Sequence, residues 1–469
     1  MRIFIIVLFS FLFSLSAFAE VDRNSDHAKK TLEIFRTIIE IDSSKTTGGG
    51  TPIIANYLKG ELLAAGFTED DIEIVRADDL AGLIVKYKAR PGSTKKPILL
   101  LGHMDVVEAN PSDWERAPFT LEEDDTYFYG RGTTDNKFGV AQLTGTFIKL
   151  KKEGFEPDRE LILVFTGDEE SGMITTRIMA YERPDLAKAE YALNSDAGGG
   201  TLDGDGNAVV FRVQAAEKTY ATWHITVRNQ GGHSSRPRAD NALYDVADAI
   251  KAIQGHSFPV MSTDITRNYF KESGKMLGGE VGQAMVDFSE NPDNKMASDR
   301  LQKESSYVGF TRTTCIPTMI HGGHAENAQP QSVVLTVNCR IFPGVAIDDI
   351  EVKLGKVIGN DALEFNLLQR YPESPVSETR PDVMAAVRKA VDLQYPDVKM
   401  VTYMESGGTD GMHFRMAGVP TWAVPGRFMN PDDMFAHGLN ERVPIKGFYD
   451  ALNHWSIVIK ELTSGKPIS

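Results

Sequence analysis

The chain has 469 residues, a formal net charge of -15 at pH 7 and two cysteines. Its length predicts two domains. Its acidic balance disfavours nucleic acid or an anionic membrane as a partner, because both require clustered Lys and Arg. Two cysteines exclude a disulfide framework and a cysteine-based zinc site.

Residues 1–20 have the features of a secretory signal peptide. Arg2 precedes an apolar run that ends in Ala17-Phe18-Ala19, the small-x-small pattern of a cleavage site. We expect cleavage after Ala19, export of the mature protein to the periplasm or the medium, and no membrane association afterwards. An uncleaved membrane anchor is the alternative, which the short apolar run disfavours.

The next part of the chain alternates helices with apolar strands. Leu32, Phe35 and Ile39 repeat at helical spacing, and a second helix is expected from Thr51 to Gly66. Four apolar runs predict strands, with helix-like segments between some of them. They are residues 78–88, 96–107, 160–170 and 190–199. This alternation predicts an α/β domain with a largely parallel, buried sheet.

From residue 217 the pattern becomes that of a smaller α+β domain. Alternating strands and amphipathic helices are predicted at residues 219–229, 241–255, 332–342, 348–359 and 364–371. We therefore expect an inserted domain over 217–371, between the two parts of a catalytic domain at 20–216 and 372–469. Residues 257–310 are polar and show no clear periodicity.

The two cysteines, Cys315 and Cys339, both lie in strand-like runs. If these strands pair, the cysteines can form one disulfide in an oxidising compartment. Two buried free thiols fit the sequence equally well.

Polar side chains stand where the predicted strands end. His103 and Asp105 are two positions apart and project to the same side of their strand. His103 could offer its imidazole to a metal ion, and Asp105 could orient that ring. Taken alone, however, this pair fits a structural histidine better.

Carboxylates follow at three further points in the chain. Asp135 lies in a glycine-rich turn before a helix, where local sequence favours an N-cap. Asp168-Glu169-Glu170 directly follow a buried strand, and such close like charges repel unless a cation or proton intervenes. Asp196 ends a fourth strand, and His437 lies in a loop near the C-terminus. A solvated acidic loop is the alternative, but together these positions predict two-metal hydrolysis.

The motifs GHMDVV, YGRGTTDNK, GDEE and AHGLNE occur in an order that resembles a two-zinc metallopeptidase family. This family includes aminoacylase, succinyl-diaminopimelate desuccinylase, acetylornithine deacetylase, glutamate carboxypeptidase and carboxypeptidase S. The resemblance covers residues 30–460 and implies a zinc-peptidase catalytic domain interrupted by a lid and dimerisation domain. It also implies two Zn²⁺ per subunit, although Mn²⁺ or Co²⁺ could replace zinc at histidine and carboxylate ligands.

The same resemblance implies a division of the metal ligands. His103 and Asp196 would bind one zinc, Glu170 and His437 the other, and Asp135 would bridge the two.

Catalytic and substrate-binding roles follow from the resemblance in the same way. Glu169 would be the general base and Asp105 the orienting carboxylate, and His233 would stabilise the oxyanion. In the family this histidine often reaches the partner subunit's site, so a homodimer is implied. The implied substrate-binding residues are Asn327, Arg340, Gly407, Gly408 and Thr409.

The expected function is that of an exported metallopeptidase, of aminopeptidase, dipeptidase or carboxypeptidase type, that cleaves an amide bond in a small peptide. Asp at position 196 resembles the peptidase members of the family more than its deacylases. An N-acyl-amino-acid deacylase with the same site is the alternative. A binding protein that keeps the fold without catalysis is a more remote one, since fold does not imply function.

Overall fold

The computed structural model describes residues 21–45 and 49–465. The predicted signal peptide and its cleavage site after Ala19 lie outside these residues. Within the described part, no helix has both the length and the apolar character needed to cross a membrane.

Helices and strands alternate along the chain. The α-helices are α1 Asp26–Ile39, α2 Gly50–Ala64, α3 Lys137–Lys152, α4 Ile174–Tyr181, α5 Ala242–Gly255, α6 Asp264–Leu277, α7 Gly279–Glu290, α8 Lys295–Gln302, α9 Ser305–Val308, α10 Ile347–Ile358, α11 Pro381–Asp392, α12 Gly411–Met416, α13 Ile445–Asp450 and α14 His454–Thr463. The strands are β1 Ile72–Ala77, β2 Leu80–Tyr87, β3 Ile98–His103, β4 Glu122–Glu123, β5 Tyr127–Tyr129, β6 Leu161–Thr166, β7 Tyr191–Asn194, β8 Gly199–Leu202, β9 Ala208–Glu217, β10 Thr219–Arg228, β11 Gly232–His233, β12 Thr314–Gly322, β13 Ala328–Gln329, β14 Ser332–Ile341, β15 Glu364–Leu367, β16 Lys399–Glu405, β17 Thr421–Ala423, β18 Phe428–Met429 and β19 Arg442–Pro444.

The largest sheet has the strand order β1-β2-β6-β3-β7-β17-β9-β8-β18, and β16 also pairs with β9. Its centre is parallel, from β6 through β3 and β7 to β17. The outer pairs β1-β2, β2-β6 and β8-β9 are antiparallel. The predicted α/β class is confirmed, with a mixed sheet that keeps its parallel strands in the middle.

Helices cover both faces of this sheet, which explains the continuous apolar runs of β3 and β6. Successive side chains of a strand point to opposite faces. Leu100 and Leu163 accordingly pack into the core that includes Phe35 of α1. Leu99 packs on the other face with Phe414 of α12.

A second, antiparallel sheet has the order β12-β14-β10-β15 and its own core beneath α5 and α10. Cys315 of β12 stands directly opposite Cys339 of β14, and the two form a disulfide. Of the two alternatives for the cysteines, the structure has the disulfide and not two free thiols. The sheet lies within the segment predicted as an inserted domain, whose boundaries stay a prediction.

Residues 257–310, which show no pattern in the sequence, form the helices α6 to α9. A small core that includes Phe270, Met285 and Phe288 holds these helices together. Helix α6 also contacts β16, where Glu272 pairs with Lys399 at 2.6 Å. This segment therefore joins the inserted part of the chain to the edge of the large sheet.

Candidate metal centre

The central parallel strands deliver three groups of polar side chains to one edge of the large sheet. His103 ends β3, Glu169 and Glu170 follow β6, and Asp196 follows β7. Because β6, β3 and β7 are neighbouring parallel strands, their carboxyl ends meet. This is the edge at which open α/β sheets bind ligands.

The five predicted metal ligands come together at this edge. His103 Nε2 lies 3.0 Å from Asp135 Oδ1 and 3.9 Å from Asp196 Oδ2. His437 Nε2 lies 3.2 Å from Asp135 Oδ2 and 2.8 Å from Glu170 Oε1. Each oxygen of Asp135 thus faces a different histidine, as a carboxylate between two cations would.

The donor set fits divalent cations. Ligand atoms of His103, Asp135 and Glu170 all lie within 4.8 Å of one another. Histidine nitrogens and carboxylate oxygens are ligands that Zn²⁺, Mn²⁺ and Co²⁺ accept. Two ions could share the bridging Asp135, one beside His103 and Asp196, the other beside Glu170 and His437.

Charge repulsion within the cluster supports this fit. Burial, together with the negative charge of Asp135, raises the pKa of Asp196 to about 8. The same two causes raise the pKa of Glu170. Burial is the main reason that the pKa of Glu169 is well above its ordinary value, with the charge of Glu170 adding to it. Several carboxylates forced together in this way favour bound cations, which remove the repulsion.

Asp105 connects the two halves of the cluster. Its two carboxylate oxygens accept hydrogen bonds from the backbone N–H groups of Glu169 (3.0 Å) and Glu170 (2.9 Å). The Nδ1 atom of His103 lies 3.1 Å from the Asp105 carbonyl oxygen and 3.5 Å from its Oδ1. Asp105 therefore fixes both the imidazole and the turn that carries the two glutamates.

The three acidic residues after β6 divide into different environments. Asp168 is buried and accepts a hydrogen bond from the backbone N–H of Thr175 at 2.9 Å, at the start of α4. Its carboxylate already accepts hydrogen bonds from residues of this chain and is not free to bind a ligand. No hydrogen bond to the Glu169 carboxylate exists among residues 21–45 and 49–465, which leaves that group open to a ligand.

A buried glutamate that the sequence analysis did not single out holds the turn carrying Asp135. The two carboxylate oxygens of Glu441 accept hydrogen bonds from the N–H groups of Gly132 (3.0 Å), Thr134 (2.8 Å) and Asp135 (3.1 Å). Arg131 donates to the same carboxylate at 2.7 Å and also to the Gly438 carbonyl oxygen at 3.1 Å. Glu441 and Arg131 together hold the turn that carries Asp135 against the loop that carries His437.

The predicted substrate-binding arginine lies beside the glycine-rich loop. Arg340 donates to the Ser406 carbonyl oxygen at 3.3 Å, and its guanidinium lies 4.6 Å from the ring of Tyr220. In that loop the Gly407 N–H donates to Glu405. Gly408, the other predicted glycine, follows it in the chain.

Thr409, the last residue predicted in this loop, is buried. Its hydroxyl donates to Glu217 at 2.6 Å and its N–H donates to the same carboxylate at 3.1 Å. Glu217 also pairs with Arg415. Thr409 therefore stabilises the conformation of this loop through its hydrogen bonds to the buried Glu217.

His233 and Asn327 are exposed and lie at a separate pair of short strands, His233 in β11 and Asn327 directly before β13. His233 Nδ1 contacts the Ser235 hydroxyl at 2.8 Å, and the Ser234 N–H donates to the Asn327 carbonyl oxygen. Within the described part of this chain, no hydrogen bond or ion pair joins His233 to a residue of the metal cluster.

Histidines and carboxylates gathered at the carboxyl ends of parallel strands define a site suited to divalent metal ions, as metal-dependent hydrolases have. Residues 99–461 match the family model "Peptidase family M20/M25/M40". The match spans most of the chain, so the protein belongs to this family of metallopeptidases and related hydrolases.

Individual relatives agree with this assignment. The chain is 27% identical over 378 residues to "Probable carboxypeptidase S-like 2" of Dictyostelium discoideum, covering 78% of this chain and 71% of that protein. It is 26% identical over 373 residues to "N-fatty-acyl-amino acid synthase/hydrolase PM20D1.1" of Danio rerio, covering 75% and 70%. The fold resembles that of the M20 family metallo-carboxypeptidase Sso-CP2 from Sulfolobus solfataricus, with a TM-score of 0.71, 19% identity and coverage of 92% and 98%.

Proposed function

We propose that this protein uses two divalent metal ions to hydrolyse the amide bond of a small peptide or N-acyl amino acid with a free carboxylate. The position of Asp135 is the observation that carries the proposal. Its two oxygens lie 3.0 Å and 3.2 Å from the Nε2 atoms of His103 and His437. A carboxylate held between two histidines in this way is suited to bridging two cations.

The ligands named above would hold the two ions, with zinc as the expected metal. When bound, these ions would lower the pKa of an attacking water molecule and polarise the scissile carbonyl. Glu169 takes one proton from that water molecule while the water oxygen forms a bond to the carbonyl carbon. Glu169 then gives this proton to the amide nitrogen as the carbon–nitrogen bond breaks, which returns the Glu169 side chain to its ionised form.

The environment of Glu169 suits this role. Its pKa is raised above the ordinary value of a carboxyl group by burial, with a contribution from the neighbouring Glu170. A base with a raised pKa binds a proton more strongly and can return it to a leaving amine near neutral pH. Bound cations would lower this pKa again, which allows Glu169 to be ionised before the reaction begins.

Arg340 is the proposed contact for the substrate carboxylate. It is half-buried, stands next to the loop at residues 406–409 and forms no ion pair within the described ranges 21–45 and 49–465. A guanidinium without a carboxylate partner can bind a substrate carboxylate with two parallel hydrogen bonds. This supports a carboxypeptidase-type or deacylase-type substrate over one that lacks the carboxylate.

We further propose that the protein is a homodimer in which His233 completes the partner's site. The edge strand β12 exposes Ile316, Met319 and Ile320, which are 60%, 54% and 50% accessible. Unpaired edges with exposed apolar side chains are typical of surfaces that pair with another strand. An oxyanion contact from His233 would then act between subunits.

Cleavage of N-acyl amino acids is the second candidate within the same chemistry. It is supported by the similarity to the N-fatty-acyl-amino acid synthase/hydrolase PM20D1.1 of Danio rerio.

A substrate panel tests the proposal. Metal-free protein, and protein restored with Zn²⁺, Mn²⁺ or Co²⁺, would be assayed with dipeptides, N-blocked dipeptides, N-acyl amino acids and the C-terminal amides of each. We expect turnover that requires metal and strongly prefers free carboxylates. Equal rates on the amides, or rates that chelation leaves unchanged, would contradict the proposal.

A further inference from the structure

A cavity of about 640 Å³ lies beside the metal centre. Part of its lining comes from the β8-β9 hairpin, including Val210 and Arg212, and part from α6, including Tyr269 and Met276. Its volume falls within the range of about 300–1,000 Å³ that small-molecule sites occupy. The segment 257–310, which has no role in the mechanism above, thus contributes a wall to a site of ligand size.

The cavity adjoins the metal centre on the side of Asp196. Gly198 lines it and lies two residues beyond Asp196 in the chain. Arg427 also lines it, donates to the Thr134 carbonyl oxygen at 2.8 Å, and its charge lowers the pKa of Asp196 against the effect of burial. Thr134 directly precedes Asp135.

The proposed carboxylate contact, Arg340, lies near Glu169. Tyr371 is close enough to both Glu169 and Arg340 for their charges to shift its pKa in opposite directions. A substrate whose amino-acid carboxylate binds Arg340, and whose scissile carbonyl lies over the metal ligands, would extend its acyl half towards Asp196. The cavity is the space that Gly198 and Arg427 connect to Asp196.

The lining combines apolar side chains with two arginines that lack acidic partners. Val209, Met276 and others provide the apolar surface. In the described part of the chain, neither Arg212 nor Arg427 forms an ion pair. The buried Nε of Arg212 has no hydrogen-bond partner, and its guanidinium lies 5.7 Å from the ring of Tyr403.

The apolar walls and the unpaired Arg212 favour an acyl chain that ends in a carboxylate over one that is wholly apolar. A wholly apolar chain would cover the guanidinium of Arg212 without giving it a partner, which is unfavourable. A chain that ends in a carboxylate would place its methylene groups on the apolar walls and form charge-assisted hydrogen bonds with Arg212. We propose that the cavity binds the acyl half of the substrate and that Arg212 selects acyl chains that end in a carboxylate. This inference rests on the proposed amide hydrolysis.

A binding assay on metal-free protein tests the cavity without requiring catalysis. The probes are the monoamide of heptanedioic acid and heptanamide, which differ in one terminal carboxylate. We expect calorimetry to show tighter binding of the acid, and Arg212→Met to weaken that binding by about 10- to 100-fold, as for loss of one charge-assisted hydrogen bond. Arg228→Met, at the outer end of β10, is the matched control and should bind both probes like the wild type.

A cavity-filling variant keeps the proposal testable if Arg212→Met does not fold. Leu277→Trp on α6 should weaken binding of both probes, whereas Leu393→Trp, which is exposed outside the cavity lining, should not. Equal affinity of the wild type for the two probes, or unchanged affinity in Arg212→Met, would overturn the proposal.

Kinetics on metal-replete protein separates this inference from the proposed function. N-(6-carboxyhexanoyl) and N-heptanoyl derivatives of one amino acid should differ in kcat/KM by about 10-fold or more, in favour of the carboxylate, and Arg212→Met should remove the difference. If neither compound is hydrolysed but the binding assay still depends on Arg212, amide hydrolysis is wrong and the cavity assignment stands. If both are hydrolysed equally well by both proteins, the cavity assignment is wrong and amide hydrolysis stands.

Discussion

Substituting Glu441 by Gln should destabilise the fold and weaken metal binding together. Glu441 is completely buried and its carboxylate faces the Arg131 guanidinium at 2.7 Å, with further N–H donors from Gly132, Thr134 and Asp135 between 2.8 and 3.1 Å. The substitution neutralises one partner of a buried ion pair and sets an amide N–H₂ against these donors. Breaking such a pair typically costs about 3–5 kcal/mol of folding free energy.

The effect on metal affinity follows from the position of Asp135. Glutamine keeps one oxygen that accepts hydrogen bonds, but the other becomes an N–H₂ group that faces N–H donors, so the turn that carries Asp135 loses part of its anchoring. The Asp135 carboxylate is then held less firmly between His103 and His437. Loss of a partner that orients a metal ligand typically reduces metal affinity by about 10- to 100-fold. Urea unfolding of metal-free protein would measure the stability, and competition with a chromogenic chelator would measure the metal affinity.

Glu217→Gln provides a matched control. Glu217 is also buried, pairs with Arg415 and accepts two hydrogen bonds from Thr409. It should lose comparable stability but bind metal with unchanged affinity, because none of these contacts involves a metal ligand. If Glu441→Gln were as stable as the wild type and bound metal equally well, the account of how Asp135 is positioned would be refuted.

Three further predictions concern the substrate, the pH response and the assembly. Arg340→Ala should raise KM for substrates with a free carboxylate by about 10- to 100-fold, the effect of one lost charge-assisted contact, and should leave the slow turnover of C-terminal amides unchanged; equal effects on both would remove Arg340 from carboxylate binding. Burial lowers the pKa of His454 to about 4 from 6.5. The unfolded chain therefore takes up a proton at His454 below pH 6.5 while the folded chain does not, and the contribution of His454 to stability falls by about 3 kcal/mol between pH 6.5 and 4. His454→Asn should remove this contribution, so that acidification costs the variant less stability than the wild type in urea unfolding; parallel profiles would show that His454 does not titrate in this way. Ile320→Glu on the exposed edge of β12 should convert a dimer into monomers in light scattering and lower kcat to the level of His233→Ala; a monomeric wild type would contradict the proposed assembly.

Most of the metal cluster could be predicted because it depends on local sequence and one topological rule. An apolar strand followed directly by His, Asp or Glu places those side chains at a strand end, and neighbouring parallel strands bring the ends together. His103, Glu170 and Asp196 follow this rule. Asp135 and His437 lie in turns, and their inclusion came from the order of motifs, which resembles that of the two-zinc family. The structure places these two residues beside the other three.

The parts that sequence could not predict depend on contacts between distant residues. Glu441 reaches its partners across about three hundred positions of the chain. Arg212 is distinguished by a buried Nε that has no hydrogen-bond partner among the described residues. Glu441 could have been suspected, since the motif AHGLNE ends in it. Helices α8 and α9 are short, and α6 and α7 bury few large apolar side chains apart from Phe270, Met285 and Phe288. Periodicity alone therefore did not reveal them.

The mixed character of the large sheet also has a physical reason. Strands β8 and β9 form a hairpin, and β16 joins β9 only after the inserted segment returns. A prediction from alternating helices and strands detects the parallel centre, where each connection includes a helix. It does not detect pairs whose partners are separated by the whole insertion.

Metal content and turnover measured together in Glu169→Gln provide the most direct check on a two-metal site with Glu169 as the base. We expect this variant to bind two divalent ions per subunit, as the wild type does, to fold with the same stability, and to lose kcat by a factor of about 100 or more because proton transfer is lost. A variant that keeps wild-type turnover would contradict the role of Glu169 as the base. A wild-type protein that holds fewer than two ions per subunit at full activity would contradict the two-metal site itself.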